Sequence, residues 1–343
     1  MALCGAGPGP VPGDSIECRA MRLSESPNPR APSRARRGAL LTLFALGLAA
    51  CASAPTRNAG SEAPVQAQPA QPIDPVVPLP PPKPPKVGLA LGGGAARGFA
   101  HIGVIQVLEE NGVKVDLVAG TSAGSLVASL YASGKNGKEL AQMAESMDEG
   151  AITDWAFPTR GLIRGEALAR FVREKTGHRL IEQMPTPLGI VATDLSDGSP
   201  ILFRTGDTGA AVRASSSVPA VFQPVKIGQR EYVDGGLVAP VPVRFAKQMG
   251  AELVIAVDIS EPPEAKPPGD AMRMLLQTFS IMGRSINNFE LREADLIIRP
   301  KLDGVGGADF SARKRSIQAG REAALAAMPQ LRQRLAAKTR TGR

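Results

Sequence analysis

The stretch Gly120-Thr121-Ser122-Ala123-Gly124 constrains this chain more than any other. It reads G-x-S-x-G. The run Val113 to Ala119 leads into it, and an apolar, helix-compatible run, Leu126 to Tyr131, follows. A strand, a tight turn and a helix in that order present a serine at the tip of a sharp bend. Gly120 and Gly124 let the backbone turn and approach closely. The helix N-terminus behind Ser122 favours developing negative charge through its dipole and free N–H groups. Such a serine is a candidate nucleophile, and a nucleophilic serine needs a base.

The usual base is histidine held by an acid. This chain has two histidines, His101 and His178. Only His178 follows Ser122, as the order serine, acid, histidine requires. It sits in Lys175-Thr176-Gly177-His178-Arg179, a polar helix end, and reads as a solvated turn residue. His101 follows a glycine-rich turn on the inward side of a helix and reads as a core or supporting residue. The remaining candidate is a carboxylate. Asp234, in Glu231-Tyr232-Val233-Asp234-Gly235-Gly236, ends a short strand immediately before two glycines. Alone it reads as a D-G turn between strands. Together with the serine turn it reads as the base.

A third element is Val87-Gly88-Leu89-Ala90-Leu91-Gly92-Gly93-Gly94-Ala95-Ala96-Arg97-Gly98. An apolar strand enters a glycine turn and leaves as an amphipathic helix, so several backbone N–H groups converge on one point. A phosphate or an oxyanion would suit them. The dinucleotide fingerprint fails in both registers, because Arg97 and Ala95 stand where glycines are required, and no Gly-Lys-Ser/Thr follows. A nucleotide-binding α/β protein is therefore disfavoured. An oxyanion hole from the Gly93 and Gly94 N–H groups, with that of Ala123 as a further donor, fits better. Arg97 reads as a brace for the turn.

These elements, in this order, resemble the patatin-like phospholipase family. Arg97-Gly98-Phe99-Ala100-His101-Ile102-Gly103-Val104, Ala214 to Pro224 and the triplet Asp234-Gly235-Gly236 agree with it, and the resemblance spans about Lys86 to Pro300. It is strongest to small bacterial members. It implies a three-layer α/β/α fold and a Ser–Asp dyad with Ser122 as nucleophile and Asp234 as base. It also implies an oxyanion hole at the first glycine turn and hydrolysis of phospholipid or lysophospholipid acyl esters without a cofactor. The family often has glycine where this chain has Ala95. The competing class is a non-catalytic lipid-binding lipoprotein that keeps the fold.

Before this body, Arg34, Arg36 and Arg37 precede the apolar stretch Ala39 to Ala50, which ends Leu48-Ala49-Ala50-Cys51. A basic segment, a short apolar segment and small residues describe a secretory signal peptide. About a dozen apolar residues are too few to span a bilayer. The terminal cysteine resembles a bacterial lipobox, with Cys51 lipidated as the mature N-terminus. Ala52 rather than aspartate after it, by resemblance to enterobacterial lipoproteins, implies export to the outer membrane, facing the periplasm. The three cysteines are Cys4, Cys18 and Cys51, so the body has no disulfide. Met21 begins a cleaner signal than Met1. The stretch 52–86 is rich in Pro, Ala and Gln and reads as a tether.

From residue 87 to about 312, strand and helix patterns alternate, which predicts one α/β domain with a mostly parallel sheet. Predicted strands are Val87–Leu91, Leu117–Gly120, Gly189–Thr193, Ile201–Arg204, Leu253–Asp258 and Leu296–Arg299. The net charge of +8 is uneven: residues 1–51 carry +3 and 313–343 carry +8, leaving the body at about −3. The basic tail 313–343 predicts a helix whose stripe Ile317, Ala324, Met328, Leu331 and Leu335 packs on the body, with contact to anionic headgroups as the alternative. Aromatics are 4% of residues and do not interleave with basic ones, which argues against nucleic acid. No residue cluster has metal-ligand spacing. Trp155-Ala156-Phe157-Pro158 is apolar enough to line an acyl channel, or simply to pack as a loop. Asp194 reads as a cap for Ser196.

Overall fold

The computed structural model describes residues 82–148, 150, 154, 161–261 and 269–339. The leader with Cys51, most of the tether, and Trp155–Pro158 lie outside the described residues.

The chain begins β1 (Val87–Leu91), a 3-10 turn (Ala95–Gly98), α1 (Phe99–Glu110), β2 (Leu117–Thr121), α2 (Ala123–Ala132) and α3 (Gly137–Ser146). It continues through β3 (Gly161–Ile163), α4 (Glu166–Lys175), β4 (Leu188–Asp194), β5 (Pro200–Phe203), α5 (Thr208–Ser215), β6 (Ala220–Phe222), β7 (Val225–Ile227) and β8 (Arg230–Asp234). It closes with α6 (Val243–Gln248), β9 (Leu253–Val257), α7 (Ala271–Glu290), β10 (Leu296–Ile298) and α8 (Arg313–Lys338). Several starts are encoded locally. Asn136 and Glu139 form a reciprocal capping box on α3, and the Asp207 side chain accepts from the Ala210 N–H at the head of α5.

The main sheet runs β10-β9-β1-β2-β4-β8-β7, with β5 also paired to β4. The strands β10, β9, β1, β2 and β4 are parallel, and antiparallel pairing begins where β8 and β5 join β4. A small parallel pair, β3 and β6, stands apart. Side chains alternate between two faces. Leu89, Leu91, Val118, Ile190, Ile255 and Val257 join the core under α1, α2, α3 and α8. Ala90, Leu117, Ala119, Val254 and Ala256 face α6. The result is a three-layer α/β/α body around a central, mostly parallel sheet. The six predicted strands each appear within a residue or two. The extra strands β3, β6 and β7 are three residues long, too short for a period to show.

The C-terminal helix packs rather than projects. Ile317, Ala324, Met328 and Leu331 of α8 are buried in the main core, with Leu335 partly buried against it. The crossing with α1 is unusually close. A Cβ on Gly103 would lie 1.9 Å from the Ile317 carbonyl oxygen, and one on Gly320 would lie 2.0 Å from that of Ala100. Much of the basic face also meets protein: Arg321 pairs with Glu110 at 2.7 Å and Lys338 with Asp295 at 2.6 Å. Because the obstructing atoms at the crossing are backbone, Gly103→Ala must force the helices apart. It is expected to lower unfolding free energy by about 2 kcal/mol or more, read from urea denaturation. A variant as stable as the parent would contradict this packing.

Candidate active site

The glycine turn after β1 and the serine turn after β2 leave the sheet at the carboxyl ends of neighbouring parallel strands, where open α/β sheets place their crevice. Ser122 lies at φ 51°, ψ −125°, a conformation that L-residues rarely adopt and that a nucleophile elbow requires. Two glycines make the bend fit. A Cβ on Gly120 would lie 2.5 Å from the Gly124 carbonyl oxygen, and one on Gly124 would lie 2.1 Å from that of Leu91. The Ser122 N–H donates to Ser215 Oγ at 2.9 Å, and Ser215 Oγ donates to the Val191 carbonyl at 2.5 Å. The elbow is thus tied to both β4 and α5.

Sheet register brings the carboxylate to the serine. Thr121 pairs with Val191 on β4, and the next β4 residue, Ala192, pairs with Asp234 on β8. Ser122 Oγ donates to Asp234 Oδ2 at 2.7 Å. Asp234 Oδ1 accepts from the Gly236 N–H at 2.7 Å, so both carboxylate oxygens are engaged. Thr193 Oγ1 holds the Asp234 carbonyl at 2.8 Å. Gly235 packs so tightly that a Cβ there would meet the Val191 carbonyl oxygen at 2.2 Å. Burial pushes the Asp234 carboxyl up to about 6, against the smaller opposing effects of its Ser122 and Gly236 hydrogen bonds.

The glycine turn is fixed by its own polar groups. Gly92 N–H donates to the Val257 carbonyl at 3.1 Å and Gly93 N–H to the Pro240 carbonyl at 2.9 Å. His101, fully buried, donates from Nε2 to the Gly92 carbonyl at 2.8 Å. Burial depresses its basicity to about 4, so it is a neutral ring at physiological pH. The Arg97 guanidinium donates to the carbonyls of Ile259, Ser260, Leu302 and Val305, which makes it a brace. Gly98 packs against Ala123: a Cβ there would meet the Ala123 Cβ at 2.9 Å.

This arrangement corrects one expectation. Gly93 lies against Ser122, with a built Cβ 3.1 Å from Ser122 Cβ, but its N–H is already bonded to the Pro240 carbonyl. Among the described residues, the N–H groups of Gly94, Ala95 and Ala123 have no partner. The open donors of the turn are therefore one residue later than the sequence pattern placed them. Ala95 holds φ 48°, a left-handed conformation that a glycine would adopt without strain.

The other candidates fall elsewhere. His178 is exposed at the end of α4 with φ 58°, its N–H bonded to the Arg173 carbonyl. Asp194 accepts from the Ser196 N–H and hydroxyl at 2.9 and 2.5 Å, and from Arg230 at 2.6 Å. The Ser196 hydroxyl and Arg230 hold it down at about 2. Sequence reasoning gave Ser215, the last residue of α5, no role beyond its place in the run Ala214 to Pro224. It also missed an apolar pocket beside the elbow. Ala95 and Ala123 form part of its wall, and Phe99, Leu126, Leu130, Met143, Phe171 and Phe310 form much of the rest.

An elbow serine bonded to a buried aspartate, beside a glycine turn on a mostly parallel sheet, defines the class: an α/β protein with a serine elbow. The chain belongs to the patatin-like phospholipase family: residues 89–247 match the family's model, a span holding Ser122, Asp234 and the glycine turn. An uncharacterized NTE family protein of Mycobacterium tuberculosis is 32% identical over 293 residues, covering 78% of this chain and 50% of that protein. The mouse patatin-like phospholipase domain-containing protein 6 is 34% identical over 187 residues, covering 52% of this chain and 14% of that protein. The chain spans about half the length of the mycobacterial relative. Among solved structures, VipD from Legionella pneumophila aligns with TM-score 0.49 at 14% identity, over 75% of this chain and 68% of that one.

Ser215→Ala removes the acceptor of the Ser122 N–H and the donor to Val191. A stability loss of about 1–3 kcal/mol is expected, measured by thermal unfolding, together with slower reaction of Ser122 with an acyl ester. Unchanged stability and rate would show that the elbow does not depend on this bridge.

Proposed function

We propose that the protein is a serine acyl hydrolase acting on acyl esters of phospholipids or lysophospholipids through Ser122 and Asp234. The 2.7 Å hydrogen bond from Ser122 Oγ to a buried, weakly acidic carboxylate carries this reading. Asp234 accepts the Ser122 proton while Oγ attacks the ester carbonyl carbon. The N–H groups of Gly94 and Ala123, with Ala95 beside them, hold the tetrahedral oxyanion. Such donors typically contribute ~3–4 kcal/mol each. Collapse breaks the bond to the alcohol, which leaves with the proton from Asp234. Water then attacks the acyl-serine, Asp234 takes its proton, and the fatty acid departs with Ser122 restored. The apolar pocket beside the elbow suits the acyl chain. No cofactor enters this scheme.

The dyad reading sets a pH dependence. Asp234 must be ionised to accept a proton, so kcat/KM should rise with pH through about 6 and level off above it. Stability runs the other way. A carboxyl raised from 3.8 to about 6 binds its proton more tightly in the folded state. Its contribution is present below pH 4 and is lost as pH rises through 6. Asp234→Asn should therefore be inactive yet more stable than the parent at pH 8, with the difference shrinking towards pH 4. Ser122→Ala should be inactive and folded, and His178→Ala should retain most activity. Hydrolysis of a p-nitrophenyl acyl ester and denaturation at the two pH values test this. A dead His178→Ala, or an active Asp234→Asn, would sink the dyad.

We further propose that Cys51 is diacylated and tethers the domain to the periplasmic face of an outer membrane through the proline-rich stretch 52–86. Support comes from the basic segment, the short apolar run and Leu48-Ala49-Ala50-Cys51. Intact-mass analysis of the membrane fraction should show a chain beginning at Cys51 with added acyl mass. An unmodified N-terminus would refute the anchor.

A further inference from the structure

Helix α7 is a 20-residue helix that the body barely covers. Of its residues only Asn287 and Glu290 are buried. Both lie in its last turn and both are tied to the segment that follows the Asp234 turn. Asn287 Oδ1 accepts from the Val241 N–H at 3.2 Å, its Nδ2 donates to Ser260 Oγ at 2.9 Å, and Glu290 pairs with Arg244. The last turn of the helix is therefore anchored to the segment after Asp234, and its middle approaches Pro240 at Gly283.

Its outer face carries large apolar side chains, with Thr278 and Ser285 between them. Met274, Ile281, Met282 and Phe289 are spaced at i, i+7, i+8 and i+15, which places them on one stripe. They are 58%, 53%, 47% and 68% exposed. Leu275 adjoins the stripe and is 37% exposed. From Ala271 to Phe289 there is no carboxylate, and the charged residues are Arg273, which pairs with the helix-capping Asp270 at 3.5 Å, and Arg284. The Arg292 guanidinium adds a third cation over the Phe289 ring, 5.3 Å from its centroid. A soluble surface seldom leaves so many large apolar side chains together without a use.

We infer that α7 inserts its Met274–Phe289 stripe into the interface of an anionic bilayer and so seats the site on its lipid substrate. The choice of a bilayer over a protein partner rests on the acyl-hydrolase reading above and on charge. Large apolar side chains flanked by arginine and free of carboxylates match an anionic headgroup layer over an acyl boundary. Continuity supports it too, since the anchoring residues of α7 bond to the strand-to-helix connection leading away from Asp234. No described helix is long and apolar enough to cross a membrane, so α7 would lie in the interface plane.

The test uses the full chain with its cysteines replaced (Cys4→Ser, Cys18→Ser, Cys51→Ser), which also removes any acyl anchor. A single new cysteine, Met282→Cys on the stripe or Gln229→Cys in the exposed β7–β8 turn, carries an environment-sensitive dye. With phosphatidylcholine vesicles containing phosphatidylglycerol, the dye at 282 should shift to the blue and be quenched by lipid-borne quenchers, and the dye at 229 should do neither. Ile281→Glu with Phe289→Glu should weaken vesicle binding by about a hundredfold, from two large apolar side chains no longer buried. No shift at 282 overturns the proposal. A shift at 282 that needs no vesicles and grows with protein concentration also overturns it, and assigns the stripe to a second copy of the chain. Turnover of a soluble ester is read in the same samples. Its absence counts against the hydrolase reading, while the dye at 282 reports docking independently.

Discussion

The close approach of α2 to β1 is the constraint on which the site depends. Gly124 lies so near Leu91 that no side chain fits between them, and Gly98 presses on Ala123 in the same way. These contacts lock the serine elbow against the glycine turn. Ser122 is then held at its strained backbone angles, and the open N–H groups of Gly94, Ala95 and Ala123 share one corner of the sheet. Strain of this kind persists only where the surroundings over-determine it. Here Ser215 below and the three glycines around the bend supply that determination.

The second half of the site is set by register rather than by local sequence. Asp234 reaches Ser122 because β8 pairs antiparallel with β4 while β4 pairs parallel with β2. A one-residue slip of β8 would send the carboxylate to the other face of the sheet. Burial then turns an ordinary aspartate into a weak acid near 6, which is what the proposed proton transfer from serine asks of it. The same burial destabilises the ionised fold, so chemistry and stability oppose each other at this residue.

Much of this was legible in the sequence because it is local. G-x-S-x-G between a strand and a helix, a glycine run after another strand, and Asp-Gly-Gly after a third each announce a turn in few residues, and family resemblance ordered them. The strands of the parallel core were legible as apolar runs. What was not legible depended on distant partners. That Gly93 N–H is bonded follows from Pro240, almost 150 residues away in the chain. Ser215 stood in the sequence only as one serine of the run Ala214 to Pro224, with nothing there to show its bond to Ser122, and the close crossing of α1 and α8 needs Gly103 and Gly320 together. The stripe on α7 was present in the sequence, but only the fold shows that its large apolar side chains stay exposed among the described residues.

The central claim is that Asp234 activates Ser122 directly. Mass-spectrometric mapping of fluorophosphonate labelling at pH 8 tests it without any assumption about the natural substrate. The account predicts a single adduct on Ser122 in the parent and labelling slowed by orders of magnitude in Asp234→Asn. Labelling of Asp234→Asn at the parental rate, or an adduct on another residue, would contradict it.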